Sequence, residues 1–141
     1  MASDLVYDAI RAHIEGNWTL TPLDRFFWEN EPQPPDGPSM IVVELQGTLY
    51  AQVGFGHDEQ AENRWDETGV LLVHCMVPEG TGAQFSRQIA RTMANLFRGT
   101  RLMSQSLEFQ DAVIGMGGGL DGAEGNWWGV TVSIDWRRME D

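Results

Sequence analysis

The sequence predicts one α+β (mixed α/β) domain, in which a single, mostly antiparallel sheet has two helices packed on it. Residues 70–77 are apolar at nearly every position, which is typical of a strand with both faces buried. Residues 83–101 carry apolar side chains at helical spacing, and residues 127–137 alternate as a long strand does. With 141 residues and 42% hydrophobic content, the chain can bury one core, so residues 1–141 are expected to form one domain.

The first element is a predicted helix near the N-terminus. Ser3 suits its N-cap because the hydroxyl can accept a hydrogen bond from a free backbone N–H, and Gly16 suits its C-terminal end. Apolar residues recur between them at helical spacing: Leu5, Val6, Ala9, Ile10 and Ile14. This helix is expected to pack on the sheet through those residues.

Residues 26–38 join an aromatic cluster, Phe26-Phe27-Trp28, to a proline-rich segment. Proline has no N–H to donate, so the segment cannot form a central strand. Two interpretations follow. The segment is either a rigid connector or a proline-rich ligand for another domain. The second would make the chain a monomeric protein-binding module.

A hairpin is predicted next, with strands at residues 40–45 and 48–53 joined by a turn at Gln46-Gly47. The polar loop that follows, residues 54–68, is long, and loops of this length are usually functional or mobile. Its aromatic residues are Phe55 and Trp65. They are expected to bury against either a neighbouring subunit or their own domain.

The centre of the chain is a strand at residues 70–77 that leads through Pro78 and two glycines into the second helix. One helix face is predicted to be buried through Phe85, Ile89, Met93, Leu96 and Phe97. The other carries Arg87, Arg91 and Arg98, at steps of four and seven residues. These three arginines, with Phe55 and Trp65, are the candidate residues for a subunit or partner interface.

The C-terminal third is predicted to be strand-rich. Residues 102–109 and 111–114 have strand character, and residues 115–126 form a glycine-rich loop. In the last strand five residues point to one face: Trp128, Val130, Val132, Ile134 and Trp136.

The net charge of −12 argues against nucleic acid or an anionic membrane as a partner of the whole surface. No apolar run approaches the roughly 20 residues that span a bilayer, and no secretory signal is visible. The single cysteine, Cys75, fits a reducing compartment.

The charge is unevenly distributed along the chain. Residues 29–79 contain ten acids and one base, Arg64, whereas residues 80–107 contain four arginines and no acid. One interpretation is composition bias together with solvated helix faces. The other is self-complementarity, in which an acidic face of one copy meets the basic helix of the next.

Few residues suggest chemistry. His74 and Cys75 are adjacent in a strand, so their side chains point to opposite faces and cannot act as a base and nucleophile pair. The glycines of residues 115–119 resemble a phosphate loop, but no helix follows them. Acids of the long loop form either a cation site or an ordinary acidic surface: Asp58, Glu59, Glu62, Asp66 and Glu67, together with His57. His13 is expected to be a packing residue.

Several segments in order carry a family pattern. Residues 27–32 read Phe-Trp-Glu-Asn-Glu-Pro, and residues 35–43 read Pro-x-Gly-x-x-Met-Ile-Val-Val. Residues 69–73, Gly-Val-Leu-Leu-Val, precede Val-Pro-x-Gly-x-Gly at residues 77–82, and Leu-Phe-Arg-Gly follows the helix at residues 96–99. In this pattern the chain resembles the tail terminator, or tail completion, proteins of long-tailed phages and of phage-derived gene transfer agents.

The resemblance implies a structural virion protein that forms a hexameric ring. The ring would cap the tail tube, stop its polymerisation and join it to a head-proximal connector, while DNA passes through the lumen without specific binding. It implies three partners: the tail tube protein, the connector and further copies of the chain. It also implies assembly in the bacterial cytoplasm before incorporation into a phage or phage-like particle. It implies no catalytic residue, cofactor, metal or membrane, so the chain is not expected to be an enzyme. A small ligand-binding domain or enzyme is the remaining alternative.

Overall fold

A seven-stranded sheet, with strands β1 to β7 numbered along the chain, organises the protein. The computed structural model describes residues 4–32, 37, 39–53, 64–103, 106–115, 118–119 and 127–139, with the backbone alone at 48–53, 64–65 and 118–119. The helices are α1 (Asp4–Asn17) and α2 (Gln84–Phe97), with a 3-10 turn at Leu23–Arg25. The strands are β1 (Phe26–Phe27), β2 (Met40–Val53), β3 (Arg64–Pro78), β4 (Arg101–Leu102), β5 (Leu107–Ile114), β6 (Gly118–Gly119) and β7 (Trp127–Met139).

The strand order is β1-β2-β3-β7-β5-β4, with β6 beside β7. Three long strands, β2, β3 and β7, pair antiparallel over most of their length, with β3 in the middle. Among the described strands, only β1 pairs in parallel, against β2. This arrangement confirms the predicted α+β class and the mostly antiparallel sheet.

Both helices pack on one side of the sheet, which we call the inner face. Helix α1 contributes Val6, Ile10 and Ile14, and none of these side chains is exposed. Helix α2 contributes Ile89 and Met93, which share one cluster with inner-face residues of all three long strands. The alternation predicted for the last strand is confirmed, since Val130, Val132, Ile134 and Trp136 are all buried in this core. We call the opposite side the outer face.

The central strand is buried on both faces at one end only. There Met40, Val42, Met76 and Trp127 form a second small cluster on the outer face. Farther along β3, the outward side chains of Val70, Leu72 and His74 are only half-buried. The prediction that both faces of residues 70–77 are buried is therefore wrong for most of the strand.

The predicted hairpin at Gln46-Gly47 is also wrong. Strand β2 continues through these residues and pairs with β3 from Met40 to Val53. A register shift between Gly47 and Leu49 shows that the glycine lies at a bulge instead of a turn. The two strands connect through residues 54–63, so the predicted loop loses its last five residues to β3, which begins at Arg64.

Helix α2 is shorter than predicted, and its predicted buried stripe is confirmed at Ile89, Met93 and Phe97 but not at Phe85. It ends at Phe97, and Phe85 is 39% exposed. The buried stripe includes Ser86 and Ala90 instead, because the Ser86 hydroxyl donates to the Cys75 carbonyl oxygen at 2.5 Å and ties the helix to β3. Residues 102–109 are not one strand, since β4 and β5 are separate and β5 contains a bulge after Phe109. The proposed cap Ser3 and residues 33–36 lie outside the described residues.

Candidate subunit interface

Arg87 and Arg91 lie together on the exposed side of α2, as the sequence predicted. The burial of Ile89 and Met93 against the sheet directs this side away from the domain. The two arginines line a shallow groove with Gln84 and Gln88. We call this surface the arginine face. Arg87 lies near the N-terminus of α2, where the helix dipole disfavours positive charge. The first turn of α2 contains no acid that could neutralise this charge.

Arg98 is separate from this surface. It is the C-cap of α2, with extended backbone, so helical spacing no longer determines where its side chain points. It lines a different cavity, between the end of α2 and the bulge of β5, with Asp111 and Ala112. The structure therefore brings together Arg87 and Arg91 but not Arg98.

The other two predicted interface residues cannot be placed. Phe55 lies outside the described residues, and so does the side chain of Trp65, whose backbone pairs with Gln52 in the β2–β3 ladder.

Four other arginines form ion pairs within the described part of the chain. Arg11 pairs with Glu31 at 3.2 Å, Arg101 with Glu108 at 3.3 Å, Arg137 with Asp66 at 2.6 Å and Arg138 with Glu67 at 2.8 Å. Among the side chains that the structure describes, no carboxylate lies within 4.0 Å of Arg87, Arg91 or Arg98. These three guanidinium groups are therefore available to bind carboxylates of another chain.

The outer face of the sheet is a second exposed surface, and sequence reasoning missed it. Leu72 is flanked by Glu44 on β2 and Ser133 on β7, and Ser133 pairs with Val113 on β5. Val113 is 62% exposed. No described helix covers this face. The apolar run of β3 gave no sign of which residues point outward, but alternation in β2 and β7 was a usable signal.

Polar side chains are linked across the same face. His74 Nδ1 lies 2.8 Å from the Thr131 hydroxyl, and its Nε2 lies 3.5 Å from Glu44 Oε1. Asp135 is exposed and pairs across the ladder with Val70. The outer face thus combines a strip of aliphatic side chains with carboxylates.

Two of the acids considered for a cation site bind arginine instead. Asp66 and Glu67 are adjacent on β3 and pair with Arg137 and Arg138 of β7, one pair on each face of the sheet. The hydrogen bond that Arg137 donates to Asp66 raises the pKa of Arg137. These pairs hold the strand ends next to residues 54–63. The described residues contain no group of three or more His, Cys, Asp or Glu side chains placed to hold a metal ion.

A family model for the phage tail terminator protein matches residues 5–136. The chain belongs to the phage tail terminator protein family. It is accordingly a structural component of a phage tail, within a virion particle, and works in contact with other phage structural proteins. No curated protein sequence matches the chain significantly.

A solved structure also matches the tail terminator fold of this chain. Its TM-score is 0.66 at 18% sequence identity, and the match covers 100% of this chain and 97% of that chain. At this identity the likeness shows the fold alone.

Two of the residues considered for chemistry, Cys75 and His13, have structural roles in the fold. Cys75 is fully buried, and burial raises the pKa of its thiol to about 12, so it remains protonated at neutral pH. His74 points to the opposite face, as predicted. His13 Nε2 donates to the Leu96 carbonyl oxygen at 3.0 Å and its ring packs on Phe97, which confirms its packing role between the helices.

The aromatic cluster is also part of the fold. Phe26 and Trp28 are buried, and Trp28 contacts the Tyr7 ring at 5.3 Å and the Arg11 guanidinium at 5.2 Å. Glu31 accepts a hydrogen bond from the Trp28 backbone N–H at 2.9 Å, which lowers the pKa of Glu31. The binding-module alternative requires exposed aromatic side chains. Phe26 and Trp28 are buried, so they are not available to a binding partner. No helix in the described part of the chain has the length and apolar character to span a membrane.

Proposed function

We propose that this protein forms a ring that caps the tail tube, ends tube polymerisation and joins the tube to the head-proximal connector. Membership of the tail terminator family supports this role. The observation that carries the self-association is the arginine face, where Arg87 and Arg91 are exposed and have no carboxylate of the described side chains within 4.0 Å. Arginine binds carboxylates bidentately, which favours its use between subunits.

The joint between copies must bring unlike surfaces together. Two arginine faces placed against each other would oppose like charges, which disfavours a two-fold symmetric contact. A head-to-tail contact between different surfaces closes into a ring when the rotation per subunit allows it. We propose a hexamer, assembled in the bacterial cytoplasm and then incorporated into a phage or gene transfer agent particle.

The overall charge supports a role as a DNA conduit. With a net charge of −12, a ring of such chains repels the DNA backbone unless its basic groups face the lumen. In the proposed ring the arginine face is covered by the subunit contact, so the lumen would be acidic and DNA would pass without binding to it. A ring structure with its carboxylates facing away from the lumen would refute this part of the proposal.

The test combines oligomeric mass with tube capping. We expect the wild-type chain to elute as a ring-sized species in size-exclusion chromatography with light scattering. We expect Arg91→Glu to shift the mass towards monomer while each subunit stays folded, because the side chain is exposed. Arg91→Lys, which keeps the charge, is the matched control and should retain most of the association.

A second measurement tests the function directly. Purified tail tube protein is allowed to polymerise with and without the chain, and tube lengths are measured by negative-stain electron microscopy. Shorter tubes with the wild-type chain, and long tubes with Arg91→Glu, are expected. Unaltered oligomer mass with reduced thermal stability in Arg91→Glu would instead assign Arg91 a purely structural role.

A further inference from the structure

We infer that the outer face of the sheet is the surface that receives the arginine face of the next copy, and this inference rests on the proposed ring. The two surfaces lie on opposite sides of the domain, because α2 packs on the inner face and exposes its arginines away from it. They therefore cannot meet within one chain. Contact between opposite sides of successive copies is the head-to-tail geometry that a ring requires.

The outer face has the apolar surface that a subunit contact needs. Val70 and Leu72 on β3 are half-buried, and Val113 on β5 is 62% exposed. Leu72 and Val113 lie in one cross-strand row with Ser133 between them. None of the described helices covers this strip, so burying it against another copy would remove aliphatic surface from water.

The same face carries carboxylates suited to arginine. Asp135 is exposed, and no described arginine lies within 4.0 Å of it. Glu44 is also accessible, with 45% of its side chain exposed, and its neighbour is His74 at 3.5 Å. Both carboxylates border the aliphatic strip, since Glu44 pairs with Leu72 and Asp135 with Val70.

The separation of the two carboxylates is compatible with the separation of the two arginines. Glu44 and Asp135 are separated by two strand spacings and two residues along the strand, which places their Cα atoms about 12 Å apart. Arg87 and Arg91 are one helical step of four residues apart, about 6 Å along the axis. Because arginine has a long flexible stem, the two guanidinium groups can diverge to reach both carboxylates.

A charge exchange within one chain tests the assignment. Arg91→Glu and Asp135→Arg are each expected to raise the dissociation constant of the oligomer by at least about tenfold. The double variant Arg91→Glu/Asp135→Arg restores an opposite-charge pair at every subunit contact, so it should recover most of the wild-type association. Asp8 is an exposed acid on α1, and Arg91→Glu/Asp8→Arg, with the same net charge, should not recover it.

The outcomes separate the two proposals. The outer face is not the acceptor if Arg91→Glu dissociates the oligomer while Asp135→Arg does not, or if the double variant fails to recover association. In either case the proposal that the wild-type chain forms a ring still stands. If neither variant changes the mass of a stable ring, the arginine face is excluded as well, and tube capping alone decides the function.

A cross-linking experiment covers the case in which the free chain is monomeric. Arg91→Cys/Asp135→Cys is treated with a short bis-maleimide at high protein concentration, where Cys75 stays unreactive because it is buried. A ladder of covalent oligomers supports the acceptor assignment. Its absence, or an equal ladder from the control Arg91→Cys/Asp8→Cys, overturns it.

Discussion

Replacing Arg138 with methionine tests how the ends of the two central strands are stabilised. Glu67 is 1% exposed, and its carboxylate lies 2.8 Å from Arg138 Nη1. Only 14% of the Arg138 side chain is exposed. Removing the guanidinium leaves a buried carboxylate without this cation, which typically costs about 3–5 kcal/mol of unfolding free energy. Methionine keeps much of the stem volume, so the loss comes mainly from the charge.

The comparison variants isolate that cause. Arg101→Met breaks the pair with Glu108 at 3.3 Å, where 53% of the arginine side chain is exposed, and should cost at most about 1 kcal/mol. The double variant Glu67→Gln/Arg138→Met removes the buried charge and should recover more than half of the loss. Urea unfolding followed by tryptophan fluorescence measures all of these free energies. Equal losses in Arg138→Met and Arg101→Met would refute the reasoning.

Two further predictions concern the central strand. Gly69→Ala should destabilise the domain by several kcal/mol, because an added Cβ would overlap the Gln46 carbonyl oxygen and the Trp136 indole; thermal unfolding measures this, and an unchanged melting temperature would contradict it. The second prediction concerns Cys75, whose thiol has a pKa of about 12 in the folded chain, whereas an exposed thiol ordinarily loses its proton near pH 9. The unfolding free energy should therefore fall as the pH rises from about 9 towards 12. The unfolded chain releases this proton first, so stability is lost over that window. Cys75→Ala should show a weaker fall in urea titrations between about pH 8 and 10.5, and an identical fall would contradict this assignment.

Elements whose own residues carry a strong periodic signal were predictable from the sequence. The last strand alternates from Val130 to Trp136, so its inward residues in that range could be identified in advance. The N-terminal helix likewise shows its buried side through Val6, Ile10 and Ile14. Local alternation and helical spacing are sufficient here because α1, and β7 from Val130 to Trp136, bury one side only.

Errors occurred where a residue had two local interpretations. Gly47 suits a tight turn and a bulge equally, and only the pairing of β2 with β3 selects the bulge. Phe85 fits a helical stripe with Ile89, but Ser86 is buried beside it, with its hydroxyl bonded to the Cys75 carbonyl oxygen, and Phe85 is exposed. In both cases a contact with a residue distant in sequence decides between local alternatives.

The candidate interface was likewise predictable in part from local spacing and in part only from contacts between distant residues. The sequence by itself determined that α2 carries Arg87 and Arg91 on its polar side, because helical spacing fixes which residues share a side. Only the tertiary structure decided that Arg101, Arg137 and Arg138 have carboxylate partners while the arginine face has none within reach among the described side chains. It also decided that the outer face of the sheet lies opposite that helix. Ion pairs and covered faces depend on which strands become neighbours, and residues such as Asp66 and Arg137 that are far apart in the chain meet only after the sheet has formed.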